Sequence, residues 1–288
     1  LSKSRHKRTA IIAGLIALLL FACLGWVAYS GVHQDRLDRA LFVALEQGNP
    51  AEVTSLLKQG ANPNARDRRK EPAVTLLSVF REMFKPRRKI QHGEPALIFV
   101  STNGNDTDLV KSSRECIQFL VIGGVDVNVQ DADGWTAMMH RIQIDDINTV
   151  IYLLNHGAKP DIANSDGNTA LQLAARYSGS DDLQLLNALL AHGAIVNNQD
   201  KGGETALDCA ALYRHIKWVK GLLAHGANPM LRDRDGNIAL DYANLAPVMF
   251  HGFSNKAQEK EIARNIKEKH EIIHVLKLAV AKQNMKSH

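Results

Sequence analysis

Cysteine is scarce in this chain: 288 residues carry only three, too few to staple a small scaffold. Cys23 lies in an apolar run, and Cys116 and Cys209 fall in separate helical stretches, so no structural disulfide is expected. Charge of one sign is also short. Thirty-five Lys and Arg face 30 Asp and Glu, and four of the basic residues, Lys3, Arg5, Lys7 and Arg8, precede residue 9. The chain beyond this tail is only mildly basic, and no nucleic-acid partner is expected. A phosphate-cradling glycine loop, a nucleophile elbow and a catalytic carboxylate pair are all missing. At 45% hydrophobic and 23% charged, the chain is neither disordered nor collagen-like.

One stretch stands apart. Residues 10–29 carry no charge, and as a helix they reach about 30 Å, one bilayer core. The basic tail 1–9 precedes them, and the next cations are Arg36 and Arg39. The charge bias therefore expects a cytoplasmic N-terminus, one pass through the inner membrane, and the bulk of the chain in the periplasm or exterior. Three readings of the stretch stand side by side. Its unbroken length exceeds the about 7 to 15 apolar residues of a removable signal and favours an uncleaved anchor. Small residues around Ala28-Tyr29-Ser30 permit cleavage there. Leu20-Phe21-Ala22-Cys23 resembles a lipoprotein box with Cys23 as the lipidated residue, although the apolar run continues through Trp26 and Val27.

Beyond residue 36 the chain repeats itself. Gly60-Ala61, Gly124-Val125, Gly157-Ala158, Gly193-Ala194 and Gly226-Ala227 are spaced by 64, 33, 36 and 33, and Gly134, Gly167, Gly203 and Gly236 run in phase with them. Each unit opens on an Asp-Gly or Gly-Glu turn followed by Thr and small apolar residues, as in Asp133-Gly134-Trp135-Thr136-Ala137-Met138. A second apolar helix comes next, such as Val150-Ile151-Tyr152-Leu153-Leu154, stopped by His-Gly-Ala. Glycine there supplies the left-handed conformation that ends a helix.

These two motifs, recurring together at a 33-residue period, resemble the ankyrin repeat. The resemblance covers roughly 37–281 and implies an all-α repeat solenoid of about six ankyrin repeats, of the bacterial exported or membrane-anchored type, behind an N-terminal transmembrane or signal helix. The expected organisation is a tail 1–9, the apolar segment 10–29, a linker 30–36, the repeat domain 37–282 and a tail 283–288. Two insertions interrupt the domain, one in a finger at 67–92 and one at 245–269, much of the latter read as a long capping helix. Ala replaces the family's Pro at 137, 170, 206 and 239. Arg141 stands where a buried Ala is usual, which implies loose packing or an arginine turned toward a partner.

The finger insertion carries Leu76, Leu77, Phe80, Met83 and Phe84 as an apolar stripe among many cations, including Arg69, Arg87, Arg88 and Lys89. It reads either as a local docked helix or as a basic arm for an acidic partner or anionic lipid. His270-Glu271-Ile272-Ile273-His274 matches the zinc-protease string. It also coincides with a second repeat helix, and the fourteen residues after His274 hold no Glu, Asp or second-motif His to complete a site. No metal, cofactor or catalytic residue is assigned.

The resemblance implies that finger tips and the inner ends of first helices bind another protein. Residue by residue this gives Asp133, Trp135 and Ile144, then Asn168, Arg176 and Tyr177, then Lys201, Glu204 and Tyr213, and finally Arg234 and Asn237. Trp135, Tyr177 and Tyr213 are expected as exposed aromatics, the composition of binding hot spots, while Trp218 falls at a core position. The expected function is a non-enzymatic binding module, with an immunity protein against a secreted toxin such as a phospholipase as one reading. A scaffold for an envelope or antioxidant enzyme is another, and a zinc hydrolase is the class-distinct alternative.

Overall fold

The computed structural model describes residues 26, 29–70, 73, 75, 94–102, 107–177, 183–245 and 256–286. The chain divides into two compact units, 1–125 and 126–288. Of the apolar segment 10–29, all but Trp26 and Tyr29 lie outside the described residues, as do Cys23 and the stripe and cations at 76–92. Among the described residues, no helix is long and apolar enough to cross a membrane.

The first unit begins with helix α1 over residues 29–46. Residues 30–36, expected as a linker, are part of it. Two i,i+4 pairs stabilise this helix: Gln34 donates to Asp38 (2.8 Å), and Arg39 donates to Asp35 (2.7 Å). Leu37, Leu41, Phe42 and Leu45 form its buried face. After Gly48, whose φ is 59°, Asn49 caps α2 (Pro50–Lys58) by accepting from the Glu52 N–H. Helices α3 (Ala96–Thr102) and α4 (Thr107–Ile122) complete the unit. Phe42 of α1 meets Phe99 of α3 edge to face at 5.3 Å. Arg69, one of the insertion's cations, is not part of a free arm. Its guanidinium lies 5.1 Å from the Phe99 centroid and is bound by Asp67 and Glu46.

The second unit is a series of helix pairs: α5 (Ala137–Gln143) with α6 (Ile147–Asn155), α7 (Ala170–Tyr177) with α8 (Gln184–Ala191), and α9 (Ala206–Leu212) with α10 (Ile216–Ala224). Short α11 (Ala239–Asn244) and the 31-residue α12 (Lys256–Lys286) close it. First helices pack on first helices in the order α5, α7, α9, α11, and α12 lies against both α10 and α11. A hydroxyl fixes the starts of α5 and α9: Thr136 and Thr205 accept from the N–H three residues on, satisfying donors that a helix start leaves open. Trp218 is fully buried in α10, as its position in the repeat implies.

Arg141 corrects one expectation. It does not turn outward toward a partner; it is wholly buried and forms an ion pair with buried Asp146 at 3.7 Å. His156, His192 and His225 are C-caps of α6, α8 and α10. The first two place ring Nδ1 against the carbonyl four residues back, at 2.8 and 2.9 Å, a helix-ending role that needs no metal.

Successive fingers of the second unit touch backbone to backbone. Ser165 N–H donates to Asp133 O (2.8 Å), Lys201 N–H to Asp166 O (3.0 Å) and Arg234 N–H to Gly202 O (2.9 Å). That approach is why the turn residue is glycine. A Cβ at Gly167, where φ is 87°, would lie 2.7 Å from Lys201 N, whereas one at Gly193, with φ 89°, would meet nothing within 4 Å. Both positions carry the left-handed penalty of about 1 kcal/mol for a residue with Cβ, but only Gly167 adds a collision with backbone. Gly167→Ala is therefore expected to cost about 2 to 4 kcal/mol and Gly193→Ala about 1 kcal/mol. Urea unfolding of the two variants measures the gap, and equal losses would refute the finger-contact argument.

Candidate protein-binding surface

The eighth residue after each helix-opening Thr is Ile144, Tyr177 or Tyr213, at the C-terminal ends of α5, α7 and α9. Packing between first helices drives most of the residues before it inward; from the start of α7 and of α9 it is the first exposed residue, and in α5 Gln143 is exposed just before it. Ile144, Tyr177 and Tyr213 are 37%, 37% and 46% exposed, respectively, and Leu245 at the end of α11 is exposed too. The period of the repeat thus carries large apolar groups into water at one corresponding place in successive units. Exposed tyrosines bury large area on binding while losing few rotamers.

Beside this row runs a polar chain across three repeats. Arg176 faces Glu204 at 3.7 Å, and the Tyr242 hydroxyl lies 3.1 Å from Glu204 Oε1 and 2.7 Å from Asp233 Oδ2. One phenolic proton serves one acceptor at a time, and the shorter contact assigns it to Asp233. The Asn237 amide donates to the same carboxylate at 3.0 Å. Tyr242 and then Asn237 hold the Asp233 carboxyl below the usual range. Burial, reinforced by the two acids, pushes the Tyr242 phenol up. Tyr242 was not among the expected site residues; its place in the short last first-helix gave no periodic signal for a contact 38 residues away.

The remaining expected residues divide. Asp133, Lys201 and Arg234 are exposed on their finger tips. Arg176, Glu204 and Asn237 are half-buried and engaged in the chain just described. Asn168 is only 5% exposed, contrary to expectation. Its backbone pairs with Asn164, donating to Oδ1 (2.9 Å) and accepting from N–H (3.0 Å), and this folds it under the finger. Trp135, expected as an exposed aromatic, is half-buried. Its indole stacks on His140 at 5.2 Å, and His140 is held by Asp131 at 2.9 Å. Arg87, Arg88 and Lys89 lie outside the described residues.

The zinc-like string lies on α12. His270 and His274 are exposed there, and Glu271 is taken up by Lys220 (2.6 Å), whose ammonium holds the carboxyl below its usual range. Among the described residues, no three candidate ligands gather around a point. Cys116 and Cys209 are free and buried, and burial pushes their thiols up to about 11 and about 12, the reverse of an activated nucleophile.

Paired helices stacked through finger contacts define a helical repeat protein, and comparison with known families specifies which kind. A family model described as ankyrin repeats in three copies matches residues 108–200, and one described as ankyrin repeats in many copies matches residues 189–243. The chain carries ankyrin repeats. It is 28% identical over 173 residues to ankyrin repeat and SOCS box protein 6 of Homo sapiens, covering 53% of this chain and 39% of that protein. It is 27% identical over 151 residues to the nuclear factor NF-kappa-B p105 subunit of Gallus gallus, covering 50% of this chain and 15% of that one. The match spans well under two thirds of either relative, and both relatives are eukaryotic. They support a protein-binding module and do not speak to a bacterial exported type.

One buried carboxylate in the surface's foundation titrates within reach. Asp208 forms a capping box with Thr205, accepting from its N–H (2.6 Å) and hydroxyl (2.7 Å). Burial outweighs those bonds and raises its pKa from 3.8 to about 6. Between these values the folded state holds a proton that the unfolded state has released, so stability falls as pH rises from about 4 to about 6 and levels above. The span of that fall is at most about 3 kcal/mol. Asp208→Asn should flatten this slope while keeping the acceptor for Thr205. Denaturation midpoints at pH values of about 4.5 and about 7 check it, and an unchanged slope in the variant would remove Asp208 as the cause.

Proposed function

We propose that this chain is a non-catalytic, membrane-tethered binder of another protein, and that the partner docks on the first-helix ends of the second unit. The observation that carries this is the row Ile144, Tyr177 and Tyr213, large apolar side chains exposed at one repeat position just past the buried stretch of each first helix. Arg176 and Glu204 beside the row would supply polar register, and Asp133, Lys201 and Arg234 the rim. The tether rests on the uncharged run 10–29 behind a basic tail, which favours the inner membrane with the repeats in the periplasm. In such a location an immunity protein neutralising a secreted toxin, a phospholipase for instance, fits a binder with an exposed apolar row. A scaffold for an envelope or antioxidant enzyme is the second reading, favoured by the same surface and separated from the first by the partner's identity.

Co-purification of the full chain and mass spectrometry of what it captures identify that partner: a secreted hydrolase supports the first reading, a resident enzyme the second. Tyr177→Ala and Tyr213→Ala should each weaken its binding by about 2 kcal/mol with little change in folding, whereas Trp218→Ala, which empties a fully buried site, should lower stability instead. Unchanged affinity in both tyrosine variants would remove the row from the interface. For the tether, a phosphatase fused after His288 should be active outside the cytoplasm, and a cytoplasmically active fusion would reverse the topology.

A further inference from the structure

We infer that the outward face of α12 is a docking surface for anionic lipid bilayer. The helix is held on one side: Ile272 and Leu276 are buried, Lys269 donates to Asn244 O at 3.1 Å, and Lys220 binds Glu271. At about 100° per residue, the opposite half carries Lys267, Lys277, Leu278, Lys282 and Met285, none of them buried. Of the two acids on this helix whose side chains are described, Glu268 falls on the packed half, and Glu271 falls on the outward half between Leu278 and Lys282, where Lys220 already binds it and the charge of Lys267 also acts on it. Among the described side chains, the outward face therefore presents three ammonium groups, Lys267, Lys277 and Lys282, against one carboxylate that Lys220 already binds. After Leu276 no described residue is buried, yet the helix runs on to Lys286.

Charge complementarity and the spacing of the apolar groups select the occupant. Leu278 and Met285, at 59% and 74% exposure, stand seven residues apart on one stripe, with Ala281 and Lys282 between them at i+3 and i+4. A protein groove that receives a helix asks for apolar anchors at those positions as well. Nucleic acid calls for arginine forks or stacking aromatics, and among the described side chains this face offers lysines and the imidazole rings of His270 and His274 instead. A bilayer surface suits it: lysine stems lie along the apolar boundary with their ammonium groups at the headgroup phosphates, while the Leu278 and Met285 tips enter between acyl chains. This contact requires no transmembrane segment and is independent of the first-helix row.

The test places an environment-sensitive fluorophore at Ala281→Cys in the full chain, with Cys23→Ser so that the remaining thiols are buried. The protein is reconstituted with phosphatidylcholine alone or with roughly one third phosphatidylglycerol. On the anionic bilayers iodide quenching should fall about threefold or more and emission should shift to the blue. Both changes should vanish in the Lys267→Gln, Lys277→Gln, Lys282→Gln variant, whose helicity and Tm should stay unchanged because the three side chains lie outside the packed core. A label at Asn187→Cys on α8 should report no difference between the two bilayers. Equal quenching on the two bilayers, or a shift that survives the triple substitution, would overturn the inference. Protection already present without lipid would overturn it too, by showing that protein covers the face.

Discussion

The structure of the second unit depends on the backbone contact between successive fingers. Neighbouring turns approach closely enough for an N–H of one to reach a carbonyl of the last, and three such bonds recur at the repeat period. The contact tolerates only glycine at the turn, and it fixes the distance at which first helices stack. A second ladder runs alongside. Asn128 donates to Gly157 O and accepts from Lys159 N–H, and Asn197 makes the same two bonds to Gly226 and Asn228. Asn197 sits four residues after the helix-ending Gly193, so there one short motif both stops a helix and ties it to the next repeat. In an array where each repeat contacts its neighbours alone, such ties set the cooperativity of the whole.

That geometry explains the exposed row. Stacking at fixed spacing packs small residues of the first helices, Ala137, Ala170, Ala174, Ala206 and Ala210 among them, against one another. Large side chains fit at the helix ends, where the chain turns away, and there they meet solvent. The same turn carries the strain of the fold: Asp145 and Arg214 have φ of 58° and 64° where the first unit uses Gly48. Large exposed side chains are thus concentrated where packing constraints are weakest.

Much of the fold is legible in the sequence because it is periodic. The glycine series, the threonine caps, the histidine C-caps and the burial of Trp218 all derive from the 33-residue register. What escapes it depends on side chains meeting across repeats or within one finger. No spacing announces that His140 draws Trp135 inward, that Asn168 tucks beneath its own turn, or that Tyr242 joins Glu204 to Asp233. Arg141 stands where a small residue is usual, and the local signal for its burial is Asp146 five positions on, where the pair satisfies two charges that neither could bury alone. The continuation of α1 back to residue 29 has a signal as well, in the i,i+4 pairs of Gln34 with Asp38 and Asp35 with Arg39.

The central claim is that a partner protein covers the ends of the first helices and leaves the second-helix ends bare. Site-specific photocrosslinking addresses it directly, with a photoreactive amino acid placed singly at Tyr177, Tyr213, His192 or His225 in the full chain. All four positions are exposed, so reactivity depends on what lies against them. The account expects one common adduct from Tyr177 and Tyr213 and none from His192 or His225. Adducts from the histidine positions with silence at both tyrosines would contradict it.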